Sequence, residues 1–178
     1  MATLTRNSLY NPKLESLNRD AEIPLLDRQR GRVLALDVGK KRIGLAVSDE
    51  LGITAQGLET LHRTRIRADL EKLKEIARHW KVRCLVIGQP LHMSGSESRQ
   101  SDYTREFAER LGQFLELPVV FLDERLTSVH AERLMREAGA SLEKRRNAVD
   151  RIAAMLLLET YLGQCSASAR PDQGDTLG

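Results

Sequence analysis

Short apolar runs separated by charged segments define the middle of the chain. The runs at 32–37 and 42–48 are separated by only a few residues that include Gly39, which predicts a β-hairpin. Residues 53–61 can form a third strand. Residues 65–80 place apolar side chains at helical spacing with charges between them, which predicts an amphipathic helix.

The second half of the chain alternates between strand and helix patterns. Two apolar runs predict strands, at 83–88 and 118–122. Three segments with helical spacing or capping residues predict helices, at 97–116, 127–138 and 142–162. Three adjacent strands followed by strand–helix units predict an α/β fold. Its central mixed five-stranded sheet has three antiparallel strands, then βαβ units, and is flanked by helices.

The two ends of the chain lack this pattern. Residues 1–31 contain two prolines and mixed charge without a sustained period, which predicts a flexible N-terminal extension. Residues 163–178 are small and polar, which predicts a disordered C-terminal tail. The folded domain is therefore predicted to span 32–162, and a chain of 178 residues has the length of about one domain.

Composition excludes several classes of protein. Hydrophobic residues at 41% and charged residues at 30% are globular values that exclude disorder, collagen and coiled coil for the whole chain. The net charge of +3 is a mild basic bias that permits nucleic-acid binding and equally fits a protein with no polyanionic partner. Aromatic residues make up only 4%, so we expect no row of stacking rings.

The cysteines and the hydropathy pattern bear on the cellular location of the protein. Cys84 lies in an apolar run and is predicted to be buried, whereas Cys165 lies in a polar segment, so the pair does not indicate a disulfide framework or a zinc site. No apolar stretch is long enough to span a membrane, and the N-terminus lacks the apolar region of a signal peptide. These features favour a cytoplasmic protein without membrane association.

Carboxylates stand at three informative positions. Asp37 ends the first strand, and Asp123 and Glu124 end a later one, where sites gather in open α/β sheets. Asp150 lies near the start of the last predicted helix, on the side that carries Ala153, Ala154, Leu157 and Tyr161. A charge on an apolar helix face costs several kcal/mol unless a cation or a strong hydrogen-bonding partner compensates it.

Two interpretations of Asp150 remain open at this point. In the first, Asp37, Glu124 and Asp150 meet and share metal ions; carboxylates without His or Cys suit Mg²⁺ or Mn²⁺. Two such ions about 4 Å apart can activate water and stabilise the leaving oxygen of a phosphodiester. In the second, Asp150 forms a salt bridge with Arg42 or Arg125, or is a carboxylate favoured by the helix macrodipole.

Basic residues flank each carboxylate position. They can hold a phosphate backbone over the metal ions, although each group alone is also typical of a solvated face. The groups are Lys40, Lys41 and Arg42 after Asp37, Arg125 after Glu124, and Lys144, Arg145 and Arg146 before Asp150.

The turn from Gly39 to Gly44 is not a phosphate loop of the Walker A type. Its glycines have the required interval, but Leu45 and Ala46 follow in place of Lys-Ser/Thr, and the next segment has a strand pattern. The hairpin also suggests actin-like ATPases and sugar kinases, which need two such domains, and one copy in 178 residues is too short.

Four stretches together resemble the YqgF (RuvX) family, within the ribonuclease H-like nuclease group. The resemblance covers roughly 32–162. It is carried by 36–49 (LDVGKKRIGLAVSD), 86–95 (VIGQPLHMSG), 123–128 (DERLTS) with Ala131 and Glu132, and Val149 and Asp150 with Ala153 and Ala154.

The resemblance implies a ribonuclease H-like fold and a metal-dependent nuclease. By motif, Asp37, Glu124 and Asp150 would be the catalytic and metal-binding carboxylates, with Asp123 the rival for the middle position. Arg125, Thr127 and Ser128 would meet phosphate. One departure matters: the segment 88–90 offers no carboxylate at the strand end where RuvC-type resolvases place a Glu.

Three functions follow from the resemblance and the residues. The first is a nuclease that trims the 5′ end of the small-subunit ribosomal RNA precursor, with structured RNA as substrate and ribosome-maturation factors as further partners. The second is a Holliday junction resolvase acting on branched DNA. The third is a nucleic-acid-binding module without catalysis. The expected oligomeric state is a monomer or a weak homodimer.

Overall fold

The computed structural model describes residues 31–89, 99–123 and 142–168. The predicted helix at 127–138 and most of the two predicted termini lie outside these ranges. In chain order the elements are β1 Arg32–Val38, β2 Arg42–Ser48, β3 Ala55–Gly57, β4 Leu61–His62, α1 Ile66–His79, β5 Val82–Gln89, α2 Arg99–Leu115, β6 Val119–Asp123 and α3 Leu142–Ser168.

The strands form one mixed sheet in the order β3-β2-β1-β5-β6, with β4 also paired to β2. Strand β2 runs antiparallel to β1, β3 and β4, whereas β5 is parallel to both β1 and β6. The parallel pairs are connected through helices, as crossover connections require. The predicted α/β class and mixed sheet are confirmed.

The predicted third strand is divided in two, so the sheet has six strands rather than five. Gly57 pairs with Ala46, and Leu61 pairs with Ile43. Three residues thus lie opposite two on β2, so the ladder is interrupted and the two short strands pair with β2 in different registers. The hydrophobic pattern of 53–61 does not reveal such a change of register, which depends on the partner strand.

Helices cover both faces of the sheet. On one face, alternate strand residues such as Leu34 and Leu36 pack with Leu73 of α1 and Phe107 of α2. On the other face, the small residues Ala35 and Ala46 and the neighbouring Val86 pack against α3. The α3 residues in this second cluster are Ala154, Leu157, Leu158, Tyr161 and Leu162. Small side chains beneath α3 allow its main chain to approach the sheet closely.

Helix α3 continues to Ser168, so the predicted boundary of the C-terminal tail is wrong for residues 163–168. The polar composition after Leu162 suggested a tail, but Cys165 packs against the α3-side cluster and extends the buried face by one turn. The Ser166 hydroxyl donates to the Leu162 carbonyl at 2.9 Å, a bond that a serine inside a helix commonly makes. Within the described ranges, no helix is long and apolar enough to cross a membrane.

Candidate active site

Asp37 lies near the C-terminal end of β1, on the sheet face that α3 covers. It pairs across the antiparallel ladder with Gly44 of β2. Two residues earlier, Ala35 packs into the α3-side cluster, and side chains alternate along a strand, so Asp37 projects to the same face. The residue is half-buried.

Asp150 reaches the same place from the other layer. A Cβ atom built on Gly44 would lie 2.0 Å from the carbonyl oxygen of Asp150, so only glycine allows the main chain of α3 to pass here. Since Gly44 is the ladder partner of Asp37, α3 crosses the sheet beside Asp37. Two of the predicted site residues, 113 positions apart, are therefore brought together at one end of the sheet.

The compensating cation for Asp150 is Arg42. Its Nε donates to Oδ2 of Asp150, with side chains 28% and 21% exposed respectively. This contact is the ion pair that the sequence left open as one interpretation. It explains how a carboxylate is tolerated on the packing side of α3, because the charge is paired and partly hydrated. Arg42 was predicted to bind nucleic acid; its guanidinium contacts the Asp150 carboxylate, and the nucleic-acid role stays a prediction.

The middle carboxylate position is only partly described. Asp123 is the last residue of β6, where its backbone pairs with Gln89, and Glu124 lies outside the described residues. Among the residues that the structure does describe, no group of three or more His, Cys, Asp or Glu is placed to hold a metal ion. A three-carboxylate metal site at Asp37 and Asp150 therefore needs residue 123 or 124, and it stays a prediction.

Only some of the predicted phosphate-binding residues likewise lie among the residues that the structure describes. Lys40 and Lys41 are exposed at the tip of the β1–β2 turn, which is closed by a bond from the Gly39 amide to the Arg42 carbonyl at 2.9 Å. Arg125, Thr127 and Ser128 lie outside the described residues. Lys144, Arg145 and Arg146 belong to the first turns of α3, which leads into Asp150.

Sequence reasoning missed Arg63, whose side chain is largely buried behind the turn. Its Nε lies 3.3 Å from Oδ2 of Asp69, and these side chains are only 7% and 2% exposed. Its Nη1 donates to the Gly39 carbonyl at 3.0 Å, and its guanidinium lies 4.6 Å from the ring centroid of Phe107. In the sequence Arg63 belongs to an arginine-rich stretch and resembles a solvated cation, so no signal pointed to it.

Gln89 occupies the end of β5, where the sequence lacks a carboxylate. It is buried, and its amide Nε2 donates to the hydroxyl of Ser101 in α2 at 3.2 Å. The polar side chain is thus engaged by the helix on the side of the sheet opposite α3. This position supplies a neutral, hydrogen-bonded amide.

The sheet order, with an antiparallel meander followed by parallel strands that are connected through helices, defines a mixed-sheet α/β protein. A family model described as "RuvX: Holliday junction resolvase" matches residues 31–164, and the chain belongs to this family. The resemblance found in the sequence is confirmed.

Similar proteins carry a consistent name. A protein of Koribacter versatilis named "Putative pre-16S rRNA nuclease" is 51% identical over 132 residues, which cover 74% of this chain and 86% of that protein. A protein of the same name from Symbiobacterium thermophilum is 45% identical over 142 residues, which cover 80% and 97% respectively. Among solved structures, T. thermophilus RuvC in complex with a Holliday junction substrate matches with 13% identity and a TM-score of 0.45. That match covers 75% of this chain and 97% of RuvC.

Proposed function

We propose that this protein is a metal-dependent nuclease that hydrolyses phosphodiester bonds in 5′-end processing of pre-16S rRNA. The observation that carries the proposal is the meeting of Asp37 and Asp150 across Gly44, beside a turn that exposes two lysines. The names of the relatives, at 45–51% identity, support the reaction and the substrate. With ribosomal RNA as substrate, the proposed location is the cytoplasm.

The donor set fits Mg²⁺ or Mn²⁺. Asp37 and Asp150 offer hard carboxylate oxygens, which these ions prefer. We propose Glu124 as the third ligand, with Asp123 as the alternative. The even-numbered positions Val120 and Leu122 of β6 pack on the α3 side, and residue 124 continues that series in the sequence. When bound, a pair of ions would activate water and stabilise the leaving oxygen.

The other residues have positioning and binding roles in this proposal. Arg42 holds the Asp150 carboxylate towards the end of β1, so that the ligand is oriented before a metal ion arrives. Lys40 and Lys41 bind substrate phosphates at the turn. The further phosphate contacts that we propose are Arg125, Thr127, Ser128, Lys144, Arg145 and Arg146.

The decisive experiment compares Asp37→Asn with a matched control. Purified wild type and variant are incubated with a pre-16S rRNA 5′ leader in Mg²⁺ or Mn²⁺. We expect Asp37→Asn to abolish cleavage with an unchanged urea transition. Asp49→Asn, the same change in an exposed turn at the far end of β2, should cleave like wild type. Equal cleavage by wild type and Asp37→Asn removes Asp37 from the mechanism.

A second candidate, junction resolution, is favoured by the description of the matching family. Against it, Gln89 supplies an amide bonded to Ser101 at the end of β5, where RuvC-type resolvases have a Glu. Competition between a four-way DNA junction and the precursor RNA, at one stated salt concentration, separates the two substrates. Preferred cleavage of the junction would replace the RNA assignment, and binding without cleavage of either substrate would indicate a non-catalytic module.

A further inference from the structure

Four exposed basic residues lie on two adjoining segments near the end of β1, and together they are called the ridge. The ridge consists of Lys40 and Lys41 in the β1–β2 turn and Arg65 and Arg67 at the start of α1. The Arg63 amide donates to the Lys41 carbonyl at 3.0 Å, which fixes the two segments side by side. Within the described ranges, none of the four ridge side chains has an ion-pair partner, whereas Arg42 and Arg63 are each paired with an aspartate.

The two arginines of the ridge are unfavourable for the helix that carries them. Arg65 is the N-cap of α1 without a side-chain cap bond, and Arg67 lies in the first turn. The positive end of the helix macrodipole lies there, so cations at these positions reduce helix stability. Helix stability therefore does not account for their presence, whereas an anionic ligand at this surface would offset both charges.

An exposed aromatic ring is joined to the ridge. Tyr103 of α2 is 37% exposed, and the guanidinium of Arg63 lies 5.1 Å from its ring centroid. The same guanidinium donates to the Gly39 carbonyl at 3.0 Å, directly before Lys40. Because the Arg63 side chain is largely buried and paired with Asp69, the ring and the basic turn are held in a fixed relation.

We infer that a single-stranded segment of the RNA substrate crosses this ridge, with its phosphates on Lys40, Lys41, Arg65 and Arg67 and one base stacked on Tyr103. The inference deepens the proposed function and rests on it. A base must be unpaired to stack on a protein ring, and stacking accepts any base, so the surface selects single strands rather than a sequence. Gly39 directly precedes Lys40 and lies two residues after Asp37, so the RNA segment reaches the end of β1 that carries Asp37.

The phosphate contacts are tested by binding in EDTA, where no metal-dependent cleavage occurs. Fluorescence anisotropy measures the affinity for a short labelled single-stranded RNA over a series of salt concentrations. For the double variant Arg65→Ala/Arg67→Ala, we expect the slope of log affinity against log salt to fall by about 1.4, since each phosphate contact contributes about 0.7. The matched control Lys72→Ala/Arg78→Ala removes the same charge from exposed positions further along α1 and should leave the slope unchanged.

The stacking contact is tested with three variants of Tyr103. Loss of stacking in Tyr103→Ala should weaken single-strand binding by about 5- to 150-fold. Tyr103→Leu keeps apolar bulk against Arg63 but offers no ring and should show the same loss, whereas Tyr103→Phe should bind like wild type. Binding of a duplex of the same sequence should not change, and urea unfolding verifies that each variant folds.

Two results would overturn the inference. One is an equal change of salt slope in the ridge variant and the Lys72→Ala/Arg78→Ala control. The other is wild-type single-strand affinity in Tyr103→Leu. If the first of these two results is accompanied by full cleavage in the ridge variant, the inference fails and the proposed function stands. A different outcome separates the two proposals. If wild-type protein binds the single-stranded RNA through the ridge but does not cleave it with Mn²⁺, the proposed function is contradicted and the binding surface is supported.

Discussion

Gly44 of β2 lies directly against the main chain of Asp150 in α3. A Cβ atom on Gly44 would lie 2.0 Å from the carbonyl oxygen and 2.5 Å from the carbonyl carbon of Asp150. Both neighbours are backbone atoms, so no side-chain rotation can relieve the overlap. The contact fixes how closely α3 approaches the ladder partner of Gly44, which is Asp37.

Substitution of Gly44 by alanine should therefore damage both stability and the site. We expect Gly44→Ala to lower the free energy of unfolding by about 1–3 kcal/mol, because α3 or β2 must shift. RNA cleavage should fall as Asp150 moves away from Asp37. Gly163→Ala is the control, since nothing lies within 4 Å of a Cβ at that helical position. The control should gain up to about 1 kcal/mol in urea unfolding. A Gly44→Ala protein as stable and active as wild type would contradict this close contact.

Arg42 and Asp150 should show a measurable coupling free energy in the folded state. In a double-mutant cycle of Arg42→Gln and Asp150→Asn, the two changes should be non-additive in unfolding free energy by about 0.5–3 kcal/mol. The side chains are 28% and 21% exposed, which places the coupling towards the lower end of that range. Purely additive losses in urea unfolding would show that the pair does not stabilise the folded state.

Local elements were largely predictable from the sequence. The strand expected at 42–48 is found at Arg42–Ser48, because an apolar run bounded by polar residues is a local signal. The division of the predicted third strand into β3 and β4 was not predictable, since it depends on the pairing with β2. The last turn of α3 was also not predictable. Its composition is polar, but Cys165 packs against the α3-side cluster and the helix continues past it.

The candidate site was predictable in position but not in contacts. Asp37 was located because it ends an apolar strand, and Asp150 because it interrupts an apolar helix face. Which cation compensates Asp150 depends on how α3 lies across β2, so the sequence could only offer Arg42 as one alternative. The burial of Arg63 depends on three elements meeting around one guanidinium, which no spacing along the chain encodes.

Thr104 is a site where a polar atom reduces stability. Its Oγ1 is buried in α2 and has no hydrogen-bond partner among the described contacts. Thr104→Val replaces the hydroxyl with a methyl group of similar shape, so we expect the free energy of unfolding to rise by about 1 kcal/mol. Ser101→Ala, three residues earlier on the same helix, should do the opposite. It removes the hydroxyl that accepts the bond from Gln89 and leaves a buried amide without that acceptor. Destabilisation by Thr104→Val would indicate a hidden partner for the hydroxyl.

The buried thiol of Cys84 should make the protein sensitive to alkali. Burial raises the pKa of Cys84 from 9.0 to about 12, although a hydrogen bond from Tyr161 opposes the shift. The neutral thiol is favoured in the folded state, so its contribution to stability is complete below pH 9.0. That contribution is lost as the pH rises towards about 12, because the unfolded chain releases the proton first.

The measurable consequence is a pH-dependent difference between wild type and Cys84→Ala. At about pH 8 the alanine variant should be less stable, because a buried side chain has been shortened. Each pH unit above the unfolded pKa removes about 1.36 kcal/mol from the wild type only. The difference in unfolding free energy should therefore shift by about 2 kcal/mol in favour of the variant by about pH 10.5. A difference that stays constant across this pH series would contradict a buried, neutral thiol at Cys84.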